Sequence, residues 1–124
     1  MLQHFNPSST NPRRAVQAWQ ILIAAAMNRQ IHSYKTLSEL MYGKPVPNVM
    51  SGILGHIAFY CVENGLPPLN VLVVNETTGL PGDGIPVSQD LNSSRESVYQ
   101  YGWYNLYPPA EQEFAAAYER NQSE

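Results

Sequence analysis

One stretch limits the fold more than any other: Gly65 to Ile85, which reads Gly-Leu-Pro-Pro-Leu-Asn-Val-Leu-Val-Val-Asn-Glu-Thr-Thr-Gly-Leu-Pro-Gly-Asp-Gly-Ile. It holds the one long β-branched run of the chain, Val71 to Val74, with Pro67-Pro68 before it and Gly79, Gly82 and Gly84 after it. Such a run reads as a buried strand entered by a stiff turn and left by a tight one. The strand is expected from about Asn70 to Asn75, followed by a turn over Glu76 to Gly79. A short antiparallel return over Leu80 to Ile85 is weakened by Pro81 and two glycines.

Upstream, the pattern is helical. Asn11-Pro12 combines a capping side chain with proline at the first helical position. Ala15, Trp19, Leu22 and Ala26 then recur at helical spacing, which predicts a largely buried helix from Pro12 to about Asn28. Gln30 to His32 reads as an extended link. Ser33 caps a second helix, Tyr34 to Tyr42, which Gly43 stops. Pro45 and Pro47 bias their predecessors away from helix. Asn48 is expected to cap a third helix ending near Asn64, with Gly52 and Gly55 permitting a close approach of another backbone.

Downstream, Ser88 to Ser94 reads as a connector and Arg95 to about Tyr104 as a short helix. Pro108-Pro109 opens a last helix through Arg120, with Phe114, Ala117 and Tyr118 inward. The fold class that follows is mainly α with a small β element (α+β). Its order, short helix, longer helix, then strand and hairpin, is that of a winged helix-turn-helix. One domain spans 12–120, with a flexible arm over 1–11 and a frayed tail over 121–124. The 124-residue length suits one core without disulfides.

Charge and cysteine content narrow the function. Residues 1–60 carry five cations against Glu39, a balance of +4, while residues 61–124 carry two cations against nine acids, a balance of −7. A basic half and an acidic half fit either an anionic partner on one side or scatter in a low-charge chain. A single cysteine excludes an internal disulfide and any all-thiolate metal site within one chain. The apolar run Ile21 to Met27 is too short to cross a bilayer, and residues 1–11 lack the pattern of a secretory signal. The expectation is a cytoplasmic protein that makes no membrane contact.

No catalytic constellation emerges. His56 and Cys61 fall on different faces of one predicted helix, and His4 and His32 lie elsewhere, so no metal site is expected. Cys61 sits on the apolar face, where a thiol is usually an inert hydrophobe. The Gly79 to Gly84 loop lacks the Lys-Ser/Thr of a phosphate loop, and Asp83 reads as a turn residue. No cofactor is implied. The candidate nucleic-acid contacts are Arg13, Arg14, Tyr34, Lys35, Thr36, Lys44, Asn48 and Ser51, with His56 adding to base readout. The aromatic group Tyr99, Tyr101, Trp103, Tyr104 and Tyr107 either closes the core or forms a surface for a protein partner or a second copy.

Two resemblances add to this. Ile31-His-Ser-Tyr-Lys-Thr-Leu-Ser-Glu-Leu40 resembles the Ile-Thr-Tyr-Gly-Glu-Leu-Ala opening of the alkylguanine-DNA alkyltransferase C-terminal domain, and the element order over roughly residues 12–85 is similar to that domain. The resemblance implies a winged-helix fold and DNA as partner. The family's nucleophile motif, Pro-Cys-His-Arg, falls where this chain reads Leu69-Asn70-Val71-Leu72. Without a thiol and its histidine there, alkyl transfer has neither nucleophile nor base. The arginine that the family inserts into the DNA stack falls near Asn48 or Val49. The chain thus resembles the non-catalytic alkyltransferase-like proteins. The pattern Leu-Val-Val-Asn followed by Thr-Gly-Leu-Pro-Gly-Asp-Gly also resembles small bacterial proteins of this helix–strand order, which implies a fold and no activity. The expected function is a non-enzymatic domain that binds nucleic acid. The alternative is an interaction or oligomerisation module using the aromatic C-terminal region.

Overall fold

A computed structural model of the chain describes residues 1–81 and 90–122. Among them are five helices, α1 (Asn11–Met27), α2 (Tyr34–Tyr42), α3 (Met50–Glu63), α4 (Leu91–Gln100) and α5 (Glu111–Gln122), and two short strands, β1 (His32–Ser33) and β2 (Val73–Val74). Short 3-10 turns precede α3 at Pro47–Val49 and β2 at Leu69–Leu72, and a third spans Trp103–Asn105. No single helix among the described residues is long and apolar enough to cross a membrane.

The centre of the molecule is α3, which packs against α1 on one side and α5 on the other. Met50, Ile53, Leu54, His56, Ile57, Ala58 and Cys61 are all buried along it. The apolar stripe of α1, Ala15, Ala18, Trp19, Leu22, Ala25 and Ala26, closes one side. Aromatic edges lock the bundle: Trp19 meets Tyr60 and Trp103 nearly edge-on, at centroid distances of 5.7 and 5.6 Å, and leans on Phe114 at 5.8 Å. Each pair of this geometry adds about 0.5–1.5 kcal/mol beyond the area it buries.

Gly55 lets α5 come close to α3, since a Cβ there would lie 3.1 Å from the Tyr118 ring. Gly52 does the same for the Asn11 side chain, at 2.8 Å. The neighbours these glycines admit are side chains rather than the backbone expected.

The helix signals of the sequence hold at most termini. Ser33 caps α2 through a reciprocal pair of bonds with Thr36, and Gly43 ends it at φ +77°. Gly65, at φ +66°, follows α3. Asn48 does not cap α3: it lies inside the 3-10 turn, no side chain caps that helix, and α3 begins at Met50. Nor does Asn11 cap α1, which starts at Asn11 itself after Thr10. The fourth helix starts earlier than expected because Asp90 caps it, its side chain accepting from the Ser93 amide. Its C-terminal half gives way at Tyr101, and Trp103 enters the core in a separate turn.

Arg14 joins Asn6 of the N-terminal arm to the end of α2. The Arg14 guanidinium is buried, donates to the Asn6 and Met41 carbonyls, and lies 4.0 Å from the Tyr42 ring centre.

The largest departure concerns the β element. Leu69 to Leu72 form a 3-10 turn, with the Val71 amide donating to the Pro68 carbonyl, so extended geometry begins only at Val73. Its strand partner is upstream: β1 and β2 run parallel, with His32 opposite Val73 and Ser33 opposite Val74. The residues α2, turn and α3 form the crossover that parallel pairing demands. After β2, Asn75 closes a turn, its amide donating to the Leu80 carbonyl and its side chain accepting from the Thr77 amide. Most of the expected antiparallel return, with Gly82, Asp83, Gly84 and Ile85, lies outside the described residues.

Candidate binding cleft at the end of the sheet

Both strands point their C-terminal ends at one cleft of about 380 Å³. Tyr34 and Lys35, from the first turn of α2, form one wall, Pro47 and Asn48 a second, and Asn75, Glu76 and Thr77 a third. The local reasons are visible. The Ser33 cap places Tyr34 and Lys35 in the first turn of α2, directly after β1. The parallel register then brings the Asn75 turn beside them. Three of the candidate contacts, Tyr34, Lys35 and Asn48, are thereby gathered, although they come from two separate segments.

The remaining candidates go elsewhere. Arg14 is only 3% exposed and its Nη atoms are engaged by protein oxygens, so it holds the arm and α2 together and is not a phosphate ligand. Arg13 pairs with Glu111 at 3.1 Å and lines a different hollow, between the arm and α5. The Thr36 hydroxyl is occupied by the capping box, accepting from the Ser33 amide at 3.0 Å. Lys44 and Ser51 are exposed but do not line the cleft. His56 is 5% exposed, stacks on Tyr118 at 4.0 Å and bonds the Gly52 carbonyl through Nδ1, so it reads no base.

Part of the charge is used inside the fold. Arg13 of α1 holds Glu111 of α5, Arg29 holds Glu96 of α4 through two 3.0 Å contacts, and Arg120 holds Glu63 across α5 and α3. The Arg29 and Arg120 guanidiniums hold the Glu96 and Glu63 carboxyls below the usual carboxylate range. Of the seven cations, Arg14, Lys35 on α2, Lys44 in the turn after it and Arg95 on α4 have no carboxylate partner among the described residues, and Arg14 is spent on Gln17 and two backbone carbonyls.

The aromatic group divides. Trp103 is fully buried and its Nε1 donates to the Val98 carbonyl at 2.7 Å, while Tyr99 and Tyr101 are half-buried, so these three close the core. Tyr104 and Tyr107 stay on the surface, 62% and 94% exposed.

Burial pushes the Cys61 thiol up to about 12 and lowers both His32 and His56 from 6.5. No three metal-ligating side chains converge among the described residues. No family model and no curated protein matches this sequence, and no solved structure matches its fold.

Proposed function

We propose that this is a non-enzymatic nucleic-acid-binding domain of winged-helix type that grips a phosphate backbone along α2 and the cleft at its N-terminal end. The observation that carries the reading is the position of Lys35 and Lys44. They are cations without a carboxylate partner among the described residues, Lys35 in the first turn of α2, which sets Tyr34 beside Asn48, and Lys44 just past its end. A second feature supports it. The Pro47–Glu63 segment turns 94° from α2, which is the angle of a helix-turn-helix, with Gly43 in the turn.

The helix that follows is not a free recognition helix. Its body is the core of the domain; Asn48 and Val49 of the preceding turn and Ser51 are exposed at its start, and Val62 and Glu63 at its end. Binding of this kind is dominated by charge and reads little sequence. It matches the non-catalytic half of the alkyltransferase-like resemblance and leaves out the chemistry, since Asn70 stands where that family has its thiol.

Fluorescence anisotropy with labelled single strands and duplexes tests the reading. Two phosphate contacts give a slope of log affinity against log salt of about −2. Lys35→Gln with Lys44→Gln is expected to flatten that slope, and Glu76→Gln to tighten binding. Absence of binding to either nucleic acid at low salt would sink the proposal.

Tyr104 and Tyr107 favour a second reading, an interaction surface for another protein or a second copy. A strictly monomeric mass by light scattering at high concentration counts against the self-association form.

A further inference from the structure

One dipeptide at the end of α3, away from the cleft, joins two groups that can react with each other. Asn64-Gly65 sets an asparagine carboxamide next to a backbone N–H that has no side chain to shield it, and both residues are exposed. No other asparagine of the chain precedes a glycine. A glycine nitrogen is the one best able to approach a neighbouring carboxamide, because no Cβ obstructs it.

The fold holds the two groups apart. Asn64 ends α3 at φ −101° and ψ 8°, and Gly65 follows in the left-handed region at φ +66°. The Gly65 N–H donates to the Val62 carbonyl at 3.3 Å and the Leu66 N–H to the Cys61 carbonyl at 2.9 Å, the paired bonds of a Schellman turn. The Asn64 side chain is turned back onto the helix, its Nδ2 donating to the Tyr60 carbonyl at 2.9 Å. Attack therefore needs the last turn to open, and helix ends open at low cost in free energy.

We propose that Asn64 is a self-modification site, converted to aspartate or isoaspartate at a rate set by opening of this turn, and that the conversion loosens the α3–α5 seam. Hydroxide removes the Gly65 amide proton. The nitrogen then bonds to Asn64 Cγ, the Cγ–Nδ2 bond breaks, and the amide nitrogen leaves as ammonia after taking a proton from water. A second water opens the resulting succinimide at either carbonyl. The product carboxylate cannot donate to the Tyr60 carbonyl, and it puts negative charge at the C-terminal end of α3, where the helix dipole disfavours it. It also enters the hollow of about 390 Å³ that Asn64 lines with Tyr60, Glu63, Glu113 and Arg120. A third carboxylate thus joins Glu63 and Glu113 beside a guanidinium that Glu63 already holds. Isoaspartate adds a methylene to the backbone as well, which breaks the register of the Schellman bonds.

The test is incubation of the full-length protein at mildly alkaline pH, with the amide-to-acid mass gain located by peptide mapping. Asn64 is expected to convert before any other asparagine, and several-fold faster in urea than in native buffer. Asn64→Gln should remove the signal. Asn64→Asp should melt below the parent at neutral pH, and Asn64→Gln nearer to it. The deficit of Asn64→Asp should shrink as pH falls through the carboxylate range, because protonation removes the unfavourable charge. The proposal fails if another asparagine converts first, or if native and urea-unfolded chains convert at the same rate, which removes the gate. It fails equally if Asn64→Asp melts with the parent at every pH.

Discussion

The α1–α3–α5 bundle and the α2 edge spend their charged side chains in opposite ways. In the bundle, each exposed arginine meets a carboxylate from another helix: Arg13 with Glu111, Arg120 with Glu63, and Arg29, just past α1, with Glu96 of α4. Lys35 on α2 and Lys44 in the turn after it meet none among the described residues. What looks in the sequence like a basic half and an acidic half is in the fold joined by two clamps, Arg13–Glu111 and Arg29–Glu96, while Arg120–Glu63 lies within the acidic half. Surface pairs of this kind contribute about 0–1 kcal/mol each, so the clamps orient helices whose attachment comes from apolar burial. The difference separates cations paired within the fold from cations without a carboxylate partner among the described residues.

The largest way to break the comparison is to remove an aromatic anchor of the bundle. Trp103→Ala deletes a fully buried ring that meets Trp19 edge-on, and a loss of about 3–5 kcal/mol is expected in denaturant melts. Domains of this size hold only about 5–15 kcal/mol in all, so the variant should sit near the limit of folding.

Two glycines sharpen the picture inside the bundle. Gly52→Ala meets only the end of the exposed Asn11 side chain, which can swing away, so the helix-propensity gain of up to about 1 kcal/mol should appear as added stability. Gly55→Ala meets the Tyr118 ring, held in its stack on His56, so crowding should cancel that gain and cost about 1 kcal/mol. Equal effects at the two sites would show that the α3–α5 contact is loose.

The smallest effects lie at the surface and bear on the comparison most directly. Arg120→Ala should lower stability by about 0.2–1 kcal/mol. Lys35→Gln and Lys44→Gln should each stay within about 0.5 kcal/mol of the parent. A larger loss at either lysine than at Arg120 would mean that the edge, too, spends its charge on the fold.

How much of this was legible beforehand depends on the range of the interaction. Ser33, Gly43 and the Ala15, Trp19, Leu22 stripe act within one or two helical turns, and their readings survive in the structure. Val71 to Val74 misled because a short apolar run carries no period. Every residue from Leu69 to Val74 is buried, yet the first four belong to a turn covered by α1, α3 and α4.

Arg14 was read as a surface cation, since nothing local reveals that Asn6, Met41 and Tyr42 will close around it. At the cleft, Tyr34, Lys35 and Asn48 were named separately, whereas Asn75, Glu76 and Thr77 read only as a turn. Their meeting depends on a strand pairing between distant segments. The unpartnered buried atoms of Arg14, Asn70, Ser94 and Arg95 leave no mark in sequence, because polar residues are ordinary and only burial makes these four unusual.

The parallel register has one more consequence. The distance from Tyr34 to Thr77 is set by which residue of β2 lies opposite His32, and strand residues advance by about 3.3 Å each. A slip of one position would move the third wall of the cleft by that amount and turn the faces of Val73 and Val74 over. Two residue pairs therefore act as the gauge of the cleft, and burial of both valines is what fixes the gauge to a single setting.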